Sequence, residues 1–183
     1  MVEFPQLKML LKLDMSNACF HNQIFDISCL PKSLNCLDLS YSKVISIKHI
    51  AVLTNLTNLR ISRCNVKELG DITQLVNLKI FNCHGCGLEN IDGIGNLEKL
   101  QFLDLNNNFN LKEIPSEIVK LQELEKLYLY NIEAKSLPCE IEELQNLKKL
   151  YISHVYSCSV PYVCITRRYS YRIGTKYKNS TMY

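Results

Sequence analysis

Aliphatic residues recur along this chain in two alternating rhythms. One has period two, as in Leu37-x-Leu39 and Leu127-x-Leu129. That alternation suits a short strand with one face buried. The other has period three, as in Ile47-x-x-Ile50-x-x-Leu53, Leu69-x-x-Ile72-x-x-Leu75 and Ile91-x-x-Ile94-x-x-Leu97. It suits a 3-10 or helical turn on the side opposite the strand. Strand and turn make a unit that repeats. Leu56-x-x-Leu59-x-Ile61-x-x-Cys64-x-Val66 aligns with Leu78-x-x-Phe81-x-Cys83-x-x-Cys86-x-Leu88, both following L-x-x-L-x-L-x-x-N/C-x-L. The same frame starts at Leu10, Leu34, Leu100, Leu124 and Leu147, so successive starts lie 24, 22, 22, 22, 24 and 23 residues apart.

One such unit cannot bury its own apolar set. Stacked units bury a continuous core and align their strands as a parallel sheet. In the later units the turn begins with proline, as Ile114-Pro115-x-x-Ile118-x-x-Leu121 and Leu137-Pro138-x-x-Ile141-x-x-Leu144. Proline is tolerated there because the first residue of a turn needs no N–H donor.

These motifs resemble leucine-rich repeats over about residues 4 to 165. The middle units are similar to the 22-residue type of the nuclear regulatory subunit of protein phosphatase 1. The later units are similar to the 23-residue type of Ras-group and plant disease-resistance proteins. The resemblance implies an α/β fold: a curved, right-handed leucine-rich-repeat solenoid, or horseshoe, of about seven repeats. A concave parallel sheet would face one way and 3-10 or helical turns the other. The expected domains are a solenoid over residues 1–165 and a basic, tyrosine-rich tail over 166–183.

In that frame positions 1, 4, 6, 9 and 11 of each unit point inward. Position 9 ordinarily satisfies backbone groups at the strand exit, and here it holds Ala18, Ser42, Cys64, Cys86, Asn108, Ile132 and Val155. The middle four can hydrogen-bond, the thiols weakly. The ladder is therefore expected to break at both ends. The unit starting at Leu100 carries one extra residue in Asn108-x-x-Leu111, which predicts a wider turn.

Charge and cysteine content narrow the function. The 183 residues include 21 basic and 18 acidic side chains. Five of the basic ones (Arg167, Arg168, Arg172, Lys176, Lys178) and no acidic one lie in the tail, leaving 16 against 18 for the body. A nearly neutral body argues against nucleic acid as the main partner, which calls for a basic patch or stripe on the fold. The tail is open to three readings, as an edge strand, a cap or a disordered segment, and a partly ordered tail is expected. Nine cysteines form an odd set with no secretory segment or membrane span before or among them, which points to free thiols in a cytoplasmic or nuclear setting rather than to secretion.

Positions 3, 5 and 7 should point out from the sheet. In the N-terminal half they are small and polar, as Asp14, Ser16, Asp38, Ser40 and Ser62. In the C-terminal half they gather Ile80, Phe102, Tyr128, Tyr130 and Tyr151, flanked by Lys126 and Lys149. Strands about 4.8 Å apart would merge these into one patch. Aromatic clusters with a charged rim are typical of interface hot spots, so this patch is the expected partner-binding site. Tyrosine also suits strand surfaces for reasons unrelated to binding.

The catalytic and metal readings are weaker. Cys83-His84-Gly85-Cys86 is a C-x-x-C, but the frame sends Cys83 to the core, Cys86 to the ladder and His84 to the sheet face. Structural zinc needs four convergent ligands. No nucleophile elbow and no P-loop occurs in the sequence. The expectation is therefore a non-enzymatic protein-interaction module without metal or cofactor. The resemblance suggests phosphatase or GTPase regulation, or plant-type immune recognition. The alternative is a substrate-recognition arm or fragment of a larger ubiquitin ligase or nucleotide-binding immune receptor, since the chain starts abruptly with Phe4 and Leu7 already in a unit-like pattern. A third reading is assembly through that uncapped end.

Overall fold

The computed structural model describes residues 7–18, 26–42, 44, 47–153 and 170–174. Each unit contributes one strand to a single parallel sheet: β1 Lys12–Asp14, β2 Cys36–Asp38, β3 Asn58–Arg60, β4 Ile80–Asn82, β5 Phe102–Asp104, β6 Lys126–Leu129 and β7 Lys149–Ser153. A further strand in the tail, β8 Ser170–Gly174, pairs with β7. Strand order follows chain order throughout, and the sheet is open. Equivalent positions fall opposite each other, as Leu37, Leu59, Phe81, Leu103, Leu127 and Leu150 do across β2 to β7.

Opposite the sheet run short 3-10 helices at Ile27–Cys29, Ile50–Val52, Gly70–Gln74, Ile94–Asn96, Ser116–Lys120 and Cys139–Glu143. The period-three motif explains why they are 3-10 rather than α. Residues three apart eclipse in a 3-10 helix, so an apolar i, i+3, i+6 set lies on one edge. Hydrogen bonds follow the same step: Ile72 N–H to Leu69, Leu75 to Ile72 and Leu78 to Leu75, at 3.0, 2.9 and 2.8 Å. Pro115 and Pro138 sit just before their helices, where their carbonyls accept from Ile118 and Ile141.

The inward positions of both elements merge into one apolar core running from Ile27 to Ile152. Its first unit is the least covered: Leu10, Leu13 and Met15 are half-buried, and Leu7, Met9 and Leu11 are exposed. Among the described residues no helix is long and apolar enough to cross a membrane.

Three periodic devices fix the units to one another. The first is the position-9 ladder. The Asn108 side-chain amide donates to the carbonyls of Cys83 and Leu105 at 3.1 and 2.8 Å, and its oxygen accepts from Leu88 N–H at 3.0 Å. Cys64 and Cys86 do less, each thiol donating to the carbonyl of the preceding unit, Leu39 at 3.1 Å and Ile61 at 2.9 Å. Ser42 turns back to Leu39 of its own unit. Ala18 and Ile132 are half-buried and lack a side-chain donor, so the ladder ends at them. Val155 lies outside the described residues. The extra residue of the fifth unit is accommodated by turning Phe109 outward, while Leu111 takes the buried slot.

The second device is a left-handed residue at position 8: Asn17, Tyr41, Arg63, Gly85, Asn107 and Asn131 all have φ between 57° and 64°. It is the third residue of the turn by which the chain leaves each strand, a place that demands φ above zero. The third lies at the opposite end of the strands, just before the first leucine of three units. There Asn55, Asn77 and Asn146 donate to backbone carbonyls of the preceding unit, those of Lys32, Thr54 and Gln122, at 3.0, 3.0 and 2.7 Å.

Candidate functional site

Burial along the strands decides which side chains meet solvent. In β5 the pattern is half-buried, buried, half-buried for Phe102, Leu103 and Asp104, and β2 and β4 repeat it. Positions 3 and 5 therefore form the outer face and position 4 the core. Ile80, Phe102, Lys126, Tyr128, Tyr130 and Tyr151 all lie on that outer face and are half-buried, while Lys149 is exposed. Ile80 and Phe102 point outward as expected from the repeat frame, and each is only half-exposed.

The rings cover one another. Phe102 and Tyr128 have centroids 5.3 Å apart at 41°, and Tyr128 and Tyr151 lie stacked at 4.5 Å and 8°. Parallel register dictates this contact, because Tyr128 and Tyr151 are cross-strand partners and Phe102 is level with Lys126, two residues before Tyr128. Offset and tilted ring pairs are favourable beyond their buried area. Burial first, then Tyr151 and Asp104, pushes the Tyr128 phenol above its usual pKa, which keeps it a neutral hydrogen-bond donor. Ile80 extends the ladder by one strand through its register with Phe102.

The polar outer positions are consumed locally instead. The carboxylates of Asp14, Asp38 and Asp104 accept the N–H two residues on, from Ser16, Ser40 and Asn106, at 2.8, 2.9 and 2.9 Å. Asn82 does the same for His84 and also accepts from the Ser62 hydroxyl. Arg60 lies 3.7 Å from Asp38. Ser40 and Ser62 are buried under these contacts.

The C-x-x-C residues separate as the repeat frame requires. The Cys83 thiol is in the core against the Asp104 carbonyl at 3.2 Å, the Cys86 thiol is in the ladder, and His84 contacts the Asn107 amide at 3.0 Å. Burial drives the Cys83 thiol well above its usual pKa and Cys86 up to about 12, so both are held as neutral thiols. A thiolate is the form that attacks or ligates. Among the described residues no three His, Cys, Asp or Glu side chains converge on one point.

Seven strands in unit order, 3-10 helices opposite and a side-chain ladder at the exits of the middle strands leave one architecture. The fold is that of a leucine-rich-repeat solenoid. Residues 78–166 match the family described as leucine-rich repeat region. Similar solved solenoids include an internalin, InlF, from Listeria monocytogenes, with a TM-score of 0.77 and 23% identity over 93% of this chain and 49% of that one. Listeria internalin C2 gives a TM-score of 0.70 and 22% identity over 80% and 63% of the two chains. A leucine-rich-repeat protein from Leptospira interrogans gives 0.61 and 26% over 80% and 44%. The chain thus spans less than two thirds of the length of each of these structures. No curated protein matches the sequence as a relative.

The sequence frame located the outer face of the solenoid. It missed the position-8 turn and the second asparagine ladder. Both had a signal: Asn or Gly at positions 17, 85, 107 and 131, and Asn before Leu56, Leu78 and Leu147.

Proposed function

We propose that this solenoid is a non-catalytic module that binds another protein through the outer face of its sheet. The observation that carries the proposal is the continuous ladder Ile80, Phe102, Tyr128 and Tyr151, edged by Tyr130, Lys126 and Lys149. A surface fixed by sheet register and ring stacking loses little freedom when a partner docks, which lowers the ordering cost of binding. Half-buried aromatic residues with a cationic rim have the composition of interface hot spots.

The finer reading is a role in intracellular signalling, in phosphatase or GTPase regulation or in plant-type immune recognition. Its support is the likeness of the repeat motifs and the free thiols Cys64, Cys83 and Cys86 in the core, which suit a reducing, cytoplasmic setting. The coverage of longer solenoids favours one further reading, in which the chain is the recognition arm of a larger enzyme or receptor. A native mass well above 21.2 kDa for the endogenous product supports that reading, and a mass of 21.2 kDa refutes it.

The docking proposal is tested by affinity capture from native lysate. One bait is the wild-type chain and the other carries Phe102→Ala, Tyr128→Ala and Tyr151→Ala, with circular dichroism confirming that both are folded. A partner kept by the first and lost by the second is the expected result. Identical captures exclude this face as the docking surface.

A further inference from the structure

The outer face of the sheet changes charge along its length. On β1, β2 and β5 the position-5 row is acidic, and each carboxylate is occupied by the N–H two residues on. On β6 and β7 the position-3 row is lysine, with Lys126 directly opposite Lys149. Like charges facing each other across adjacent strands are destabilising. The ion pairs among the described residues engage neither of them. The neighbouring acid, Glu125, is held by Lys148 at 2.7 Å, and that hydrogen bond is the main cause lowering its carboxyl pKa. The repeat frame requires nothing cationic at position 3, since Asn58 and Ile80 occupy it in other units.

We infer that the β5 to β7 end of the face binds an acidic polypeptide segment, its carboxylates over Lys126 and Lys149 and an aromatic or aliphatic side chain on the Phe102, Tyr128 and Tyr151 ladder. This rests on the docking reading above and names the partner's chemistry. Lysine and ring rows lie two residues apart on β6, about 6.6 Å along a strand. An extended peptide with an acid and an apolar residue two positions apart presents both on one face at the same spacing. Single-stranded nucleic acid also stacks on aromatic rings. Its continuous phosphate charge would pass over Asp104, level with Tyr128 on the next strand, whereas a peptide places its charges at separate points.

The chain contains no tryptophan, so a tryptophan-bearing peptide reports its own binding by fluorescence. Three synthetic probes share one Trp and differ in the residues two positions to either side of it: Glu, Gln or Lys. A labelled oligothymidylate is the fourth. With the full chain at low salt, the Glu peptide should bind roughly tenfold or more tighter than the Gln peptide, an advantage that shrinks as salt rises. Lys126→Glu with Lys149→Glu keeps the like-charge pairing but should reverse the order, so that the Lys peptide binds best. If that variant fails to fold by circular dichroism, Lys126→Gln with Lys149→Gln decides, since it should equalise the Glu and Gln peptides. Equal binding of the three peptides to wild type, or an acid preference that survives the lysine changes, overturns the inference. Tighter binding of oligothymidylate than of the Glu peptide reassigns the face to nucleic acid. Absence of binding by every probe also overturns it. In each of these cases the docking reading is judged separately, by whether the aromatic variant loses captured partners.

Discussion

Between β2 and β4 the outer positions include Asp38, Ser40, Arg60, Ser62 and Asn82; between β5 and β7 they include Phe102, Lys126, Tyr128, Tyr130 and Tyr151. The backbone register is the same in both regions. In the first, nearly every polar group has a partner within the chain, through the turn from position 5 to position 7, the Ser62 to Asn82 bond and the Arg60 to Asp38 pair. In the second, the rings stack and the Tyr128 phenol reaches Tyr151, but Lys126 and Lys149 join none of the ion pairs among the described residues. A repeat surface is available for recognition where the outward residues are left unsatisfied by the repeat itself. The interior differs as well: thiols carry the ladder in the third and fourth units, and an amide carries it in the fifth.

The interior contrast is broken most severely at Asn108. Asn108→Ala removes three hydrogen bonds at a fully buried site and should cost about 2–4 kcal/mol in urea unfolding, because backbone partners are left unpaired. Cys86→Ala removes one thiol bond and should cost about 1 kcal/mol. Equal losses would mean that thiol and amide ladders are interchangeable.

The outer contrast is sharpened next. Phe102→Ala, Tyr128→Ala and Tyr151→Ala together remove two ring pairs and should lower stability by about 1–3 kcal/mol in the same assay, leaving the fold intact. A loss much larger than this would make the aromatic ladder a structural element first and a binding surface second.

A smaller change belongs to the polar half. Tyr41 is 56% exposed and holds φ at 59°. Tyr41→Asn should raise stability by about 0.5–1 kcal/mol, since Asn tolerates the left-handed conformation better. The equivalent residues Asn17, Asn107 and Asn131 already use it.

The smallest effect concerns Asp104, where the two halves meet. Its carboxyl is held above the usual value, chiefly by burial. The stability it contributes is present below the unfolded value and lost as pH rises through the raised folded value. Asp104→Asn should therefore be the more stable form at neutral pH, with the difference vanishing in acid. Asn82, its cross-strand partner, shows that an amide can accept the same turn hydrogen bond. A gap that does not change with pH would place the effect in packing rather than charge.

Much of the fold was legible because the unit is short and repeated. The spacing of Leu56, Leu59 and Ile61 fixed strand and register, and Ile50 and Leu53 marked the opposite turn. The candidate site was legible as a list of positions, since position 3, 5 and 7 residues must share a face when units stack. The sequence frame did not reveal how far each residue is covered. Phe102 is shielded by Tyr128, a residue 26 places later, and only stacking brings them within 5.3 Å.

The period, the inward and outward faces and the concentration of aromatic and cationic residues at one end follow from residue order alone. These are local properties, set by which residue occupies which step of a repeating path. Stacking of the units decided that thiols and an amide bridge neighbouring repeats, that Tyr128 stacks on Tyr151, and that Lys126 faces Lys149 while Lys148 turns to Glu125. Each of these depends on the distance between residues more than 20 positions apart, which exists only once the units are stacked.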